Sequence, residues 1–151
     1  MLINLKRMCF MECEFPSVNS SSDEIKEMFL QTETIAILGL SPDPSKASHR
    51  VAAYLKSAGF KIVPIYPKED DILGEKVYRS LTEVPFEIDM VDVFRKPKAL
   101  LAIAEESIAR GDVKFFWAQQ GIVNNEAAQM AEKAGLKVVQ NRCTMVEHAS
   151  I

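Results

Sequence analysis

Short apolar runs alternate with amphipathic stretches from residue 34 to residue 140. The run "TIAILGL" (34–40) is nearly continuous in apolar residues, which predicts a strand buried on both faces. "KIVPIY" (61–66), "IDMVDVF" (88–94), "VKFFWAQ" (113–119) and "LKVVQ" (136–140) predict four more strands. Between them lie segments of helical period. "SHRVAAYLKSAG" (48–59) puts Val51, Tyr54, Leu55 and Ala58 on one stripe and stops at Gly59. "PKALLAIAEESIARG" (97–111) opens on Pro97, at a position helices tolerate, and stops at Gly111. "NNEAAQMAEKAG" (124–135) has Asn124 as a cap and Gly135 as a stop. Ser21 and Glu24 stand at capping-box spacing and open a further helix; Ser80 and Glu83 repeat the spacing for a short one over 80–84.

Strands alternating with helices predict βαβ units and a parallel sheet. Right-handed crossovers make that sheet a Rossmann-like, doubly wound α/β fold of about five strands, with helices on both faces. The expected strand order is 3-2-1-4-5. Pro64 fits it poorly, because proline donates nothing to a ladder and strand two is internal in that order. Its place near the strand's carboxyl end, where neighbours diverge, is the accommodation expected. The chain reads as one domain over 21–151, preceded by a poorly ordered extension over 1–20.

Composition narrows the class. The 151 residues are 48% hydrophobic and 26% charged, with a net charge of −3. That is ordinary for a globular domain. It argues against a nucleic-acid binder, which would usually be basic. No run reaches the roughly 20 apolar residues of a spanning helix, so no membrane partner is expected. The three cysteines, Cys9, Cys13 and Cys143, form no framework and no metal-site spacing, which points to a reducing cytoplasm.

In open α/β sheets, ligands bind beyond the carboxyl ends of the strands. Here that edge carries "GLSPDPSKASHR", "YPKED", "FRKPK" and "QQGIVN". The first loop offers backbone N–H groups and a helix start, both suited to phosphate, with Gly39 for close approach. Ser41, Ser45 and Ser48 add hydroxyls; Lys46, His49 and Arg50 add donors and charge. A dinucleotide site for a free ribose usually ends strand two on an acid. This chain has Tyr66, Pro67 and Lys68 there, which suits a phosphorylated ribose. Arg95, Lys96 and Lys98 supply a third basic group, and Gln119, Gln120 and Gly121 suit an amide-bearing arm. The ligand read from these loops is an adenine nucleotide with several phosphates. Coenzyme A (CoA) and NADP both fit, and the missing three-glycine fingerprint favours CoA.

Six segments taken together, "GLSPDPSKASHRVAAYL", "VPIYP", "LGEKVYRSL", "VDVFRKP", "QQGIVNNEAA" and "NRCTMVEH", resemble the small bacterial and archaeal CoA-binding proteins. Those proteins are similar in fold to the N-terminal CoA-binding domain of the succinyl-CoA synthetase alpha subunit. The resemblance covers about residues 32 to 150. It implies that Gly39, Leu40, Ser41, Pro42, Ser48, His49 and Arg50 meet the pyrophosphate. It places Ile65, Tyr66, Pro67 and Lys68 near the adenosine, with Tyr66 where many members have asparagine. Val93, Phe94, Arg95 and Lys96 match the end of strand three. Gln119, Gln120 and Gly121 match the strand-four end, near the pantetheine arm. Ligase activity does not carry over, because the phosphorylated histidine and nucleotide-grasp parts fall outside the resemblance.

No constellation for chemistry stands out. His49 is expected to serve the phosphate loop. His148 and Cys143 lack an orienting partner and are expected to pack structurally. Asp89 and Asp92 differ in strand parity and do not form an acid pair. Trp117 is expected in the core. The function expected is non-catalytic binding of CoA or an acyl-CoA, in a unit small enough to pair as a homodimer. The alternative is an NADP-linked or acyl-CoA-handling enzyme.

Overall fold

The structure is a computed structural model that describes residues 15–151. Cys9, Cys13 and most of the expected extension lie outside the described residues. Helix α1 (Ser22–Gln31) begins with the expected capping box, Ser21 and Glu24 each bonding the other's backbone. It leads into β1 (Thr34–Leu38), α2 (Ala47–Ser57) and β2 (Lys61–Ile65). A two-stranded ribbon, β3 (Asp71–Ile72) and β4 (Glu75–Lys76), follows. Then come β5 (Met90–Val93), α3 (Leu100–Arg110), β6 (Phe115–Ala118), α4 (Asn125–Lys133), β7 (Lys137–Val139) and α5 (Thr144–Ala149).

The five main strands are parallel and lie in the order β2-β1-β5-β6-β7. The fold is the α/β Rossmann-like sheet expected. The strand order is not: counted along the main sheet it is 2-1-3-4-5 rather than 3-2-1-4-5. Pro64 gives the physical reason. Strand β2 is an edge strand, and the Pro64 carbonyl points away from β1 to accept from the Tyr78 N–H at 2.9 Å. Its missing N–H lies on that same outer side, where no strand needs it.

Two apolar layers flank the sheet. On one face Val91, Val93, Phe116 and Val138 pack under α3 and α4 through Leu100, Ala104, Ala127 and Ala131. On the other, Ile35, Ile37, Met90 and Trp117 pack under α1 and α2 through Met28, Phe29, Val51 and Leu55. Trp117 is fully buried, as expected, and its Nε1 donates to the Arg142 carbonyl at 2.8 Å. Both outer edges are closed. Tyr78 pairs along β2. Residues 17–20 cover β7, where Ser20 Oγ donates to the Val138 carbonyl at 2.7 Å. Asn19 exchanges two bonds with the Gln140 backbone, each 3.0 Å. Among the described residues no helix is long and apolar enough to cross a membrane.

Helix α5 was not foreseen. It has six residues, too few to show a period, and tertiary contacts hold it. His148 sits among the rings of Phe29, Tyr54 and Phe60, with centroids 5.2, 5.6 and 5.3 Å away. Its Nδ1 lies 2.8 Å from the Tyr54 hydroxyl. His148 therefore packs structurally, as expected.

Candidate functional site

The order places β1 between β2, which precedes the reversal, and β5, which follows it. Register aligns Leu38 with both Ile65 and Val93, so the three strands end at one level. The crevice above them is the switch point at which such sheets bind ligands. A cleft of about 700 Å³ lies there. Gly39, Ser41, Lys46, Ala47 and Ser48 line it from the first loop and the start of α2. Ile65, Tyr66 and Pro67 line it from the second loop, Phe94 and Arg95 from the third, and Arg79 from beyond the β3–β4 ribbon.

Gly39 has φ +83°, and a Cβ built there would stand 2.4 Å from the Phe94 carbonyl oxygen. Only glycine lets the chain leave β1 this close to the end of β5. The Gly39 N–H bonds the Ile65 carbonyl at 3.0 Å and ties the turn to β2 as well. Ser48, expected to meet phosphate, also fastens the loop. It is buried, and its Oγ accepts from the Ser41 N–H at 3.0 Å. Asp43 folds the loop tip by accepting from Ser45 N–H and Oγ at 2.9 and 2.8 Å. The Ser45 backbone bond, then its hydroxyl, hold that carboxyl below its usual range.

The helix start has Lys46 as its N-cap and no side-chain cap. The first turn contains no acid to neutralise it. Ala47 and Ser48 are its first two residues, and their N–H groups meet no acceptor among the described residues. Two free amides, the helix dipole, Lys46 and Arg95 therefore converge on one crevice, an arrangement that favours an anion. Ile65, Pro67, Phe94 and the Tyr66 ring give it apolar walls beside that anion site.

Eight of the expected residues share this cleft: Gly39, Ser41, Ser48, Ile65, Tyr66, Pro67, Phe94 and Arg95. Leu40 and Val93 are fully buried in the core. Pro42, Lys68 and Lys96 are exposed outside the lining. His49 directs Nδ1 to the Ser41 carbonyl at 2.9 Å, and Arg50 bonds the Ser45 carbonyl. Gln119 is 3% exposed and turned inward. Its Nε2 donates to Asp92 Oδ1 and Thr144 Oγ1, both at 2.7 Å, and Thr144 donates to Asp92 Oδ2 at 2.9 Å. Burial pushes the Asp92 carboxyl up to about 7, against the bonds from Gln119 and Thr144 that lower it. The Gly121 N–H is taken by Asn141 Oδ1 at 2.7 Å.

Gln120 lines a second, smaller cleft of about 380 Å³ at the ends of β6 and β7, with Asn141, Arg142, Cys143 and Glu147. This places Cys143 and His148 in different surroundings, one on that cleft and the other in the aromatic packing. Sequence reasoning missed Lys46 as a cleft residue only in part, having counted it as loop charge. Arg79, although inside the segment "LGEKVYRSL", was not counted as a site residue: it stands 13 residues beyond Tyr66, whose carbonyl it bonds.

Ser48→Ala removes the acceptor that sets the Ser41 amide. An unsatisfied half-buried N–H and a loosened loop cost roughly 1–2 kcal/mol. Affinity for CoA, the ligand expected from the sequence, is expected to fall about tenfold, read by calorimetry, with the helix itself retained in circular dichroism.

The family described as CoA binding domain matches residues 33–149. Over 131 residues the chain is 43% identical to an uncharacterized protein, YneT, of Bacillus subtilis (strain 168), spanning 87% of this chain and 96% of that one. It is 27% identical over 137 residues to the alpha subunit of ADP-forming acetate–CoA ligase II of Pyrococcus furiosus. That match takes in 83% of this chain but 30% of the ligase subunit. A solved structure of a hypothetical protein from Pyrococcus horikoshii OT3 superposes with a TM-score of 0.84 at 36% identity, covering 92% of this chain and 97% of that one. By motif, fold and this match over most of its length, the chain belongs to the CoA-binding domain family.

Proposed function

We propose that the protein binds CoA or an acyl-CoA at this cleft and carries out no chemistry on it. The observation that carries the reading is the pair of free amides at Ala47 and Ser48, facing the same crevice as Lys46 and Arg95. The pyrophosphate belongs against those groups, because they supply the donors and charge that a dianion needs. The adenosine belongs beside Tyr66 and Pro67, which with Ile65 make an apolar wall. The pantetheine arm then leads along the sheet edge toward Gln120 and the second cleft. Family membership supports CoA binding in general, and the donor set of this cleft fits that ligand.

The absence of chemistry rests on how the candidate groups are used. His49 is engaged with the Ser41 carbonyl, and His148 with Tyr54. Asp92 is fully buried behind Gln119 and Thr144.

Native mass spectrometry of the freshly purified protein tests the reading. One CoA or acyl-CoA per chain is expected, retained or restored on adding CoA, and acetyl-CoA is expected to come back with its thioester intact. No complex with either ligand would remove the function; steady thioester cleavage would remove the non-catalytic part.

A further inference from the structure

Arg79 lines the cleft although sequence reasoning gave it no place in the site. Its Nη1 donates to three carbonyls of the loop after β2: Tyr66 at 3.1 Å, Lys68 at 2.9 Å and Glu69 at 2.8 Å. Glu69 holds φ +68°, a conformation that a non-glycine residue keeps only when its surroundings impose it. One guanidinium nitrogen thus pins the loop that forms one wall of the cleft. The remaining N–H groups of the same guanidinium, on Nη2 and Nε, meet no acceptor among the described residues. The backbone side of Arg79 is also fixed, since its N–H donates to Glu83 Oε2 at 2.8 Å.

The cleft therefore has two cationic regions built by different segments. Lys46 and the α2 amides stand at the first loop, and Arg79 stands by Tyr66 and Pro67 at the second. A ligand with a pyrophosphate alone uses the first region and leaves the second without a counter-charge. A guanidinium held by one nitrogen, with the others free, is pre-organised to take a phosphate monoester through parallel N–H bonds. Lys68, the residue expected to meet a ribose phosphate, is exposed and lies outside the lining.

We propose that Arg79 recognises the phosphate monoester on the ribose of the bound nucleotide, and so separates CoA from dephospho-CoA. The proposal rests on the CoA reading above and adds the residue that sets its specificity.

Calorimetric titration of CoA and of dephospho-CoA into the wild type, Arg79→Gln and Arg79→Lys tests it. The wild type is expected to favour CoA by about 10- to 100-fold, the range of one charge-assisted bidentate contact. Arg79→Gln is expected to bring the two ligands within about threefold of each other, because the loosened second loop weakens both ligands by a common factor while the lost phosphate contact weakens CoA alone. Arg79→Lys keeps the charge and is expected to retain part of the preference. Parallel loss of both ligands in Arg79→Gln would mean that the residue only shapes the loop, and would overturn the proposal. So would an unchanged preference for CoA in that variant, or a wild type that binds both ligands equally. A wild type that binds neither ligand fails the CoA reading itself, and the proposal falls with it. Melting curves of each variant establish that the protein compared is folded.

Discussion

Gly39→Ala is expected to abolish measurable CoA binding and to lower the melting temperature by roughly 10 °C. Two costs add at this one position. Alanine at φ +83° occupies the left-handed region, and the new methyl group overlaps the Phe94 carbonyl oxygen at 2.4 Å. That oxygen is backbone at the end of β5, so no rotamer change relieves the overlap. Strain and overpacking together come to about 3–5 kcal/mol. Relief requires the first loop to move away from β5. That movement opens the crevice and carries the Ala47 and Ser48 amides with it, so binding suffers more than stability does. Thermal unfolding and calorimetry on the same sample check both parts. A variant that binds CoA as the wild type does would show that the close approach of β1 and β5 is not what shapes the site.

Asp92→Asn is expected to stabilise the protein at pH 8 and to change little at pH 4. Asp92 is completely buried, and its carboxyl titrates at about 7 in the fold against 3.8 in an open chain. A raised carboxyl favours the protonated fold. Its contribution is fully present below about pH 4 and is lost as the pH rises through 7, with a plateau above. The interval is roughly 3 pH units at about 1.4 kcal/mol each, so the wild type loses several kcal/mol across it. Asparagine has no charge to bury and keeps an acceptor for Gln119. Chemical denaturation of both proteins at pH 4, 6 and 8 measures the difference. The asparagine variant should gain on the wild type steadily from pH 4 to 7; a difference that stays flat with pH would contradict the account of Asp92.

The elements with long periods were legible in the sequence. The capping pair Ser21 and Glu24, the Asn124 cap and the Gly111 stop all act as read, with Asn124 Oδ1 accepting from the Ala127 N–H and Gly111 in the left-handed region. Strand order was less so. Pro64 carried the needed information, since proline without a ladder donor marks an edge, but the 3-2-1-4-5 order outweighed it. The loops after β1, β2 and β5 meet at one cleft because parallel strands bring their carboxyl ends together, although of their Lys and Arg residues only Lys46 and Arg95 line it. What individual side chains do at that edge was harder to read. Gln119 looks like a ligand contact in sequence, yet it turns inward because Asp92 and Thr144, distant along the chain, need a donor. Arg79 lies in the segment "LGEKVYRSL" that carries the resemblance, but its place in the cleft was not legible, since that depends on the ribbon β3–β4 folding back onto the end of β2.

The central claim is that a phosphate-rich ligand sits on the free amides at the start of α2, in the crevice between β1 and β5. Amide-detected NMR titration with CoA tests it most directly. The account predicts the largest saturable shifts at Gly39, Ser41, Ala47, Ser48 and Arg95. Saturation with those amides unmoved, and shifts confined to the α3–α4 face of the sheet, would contradict it.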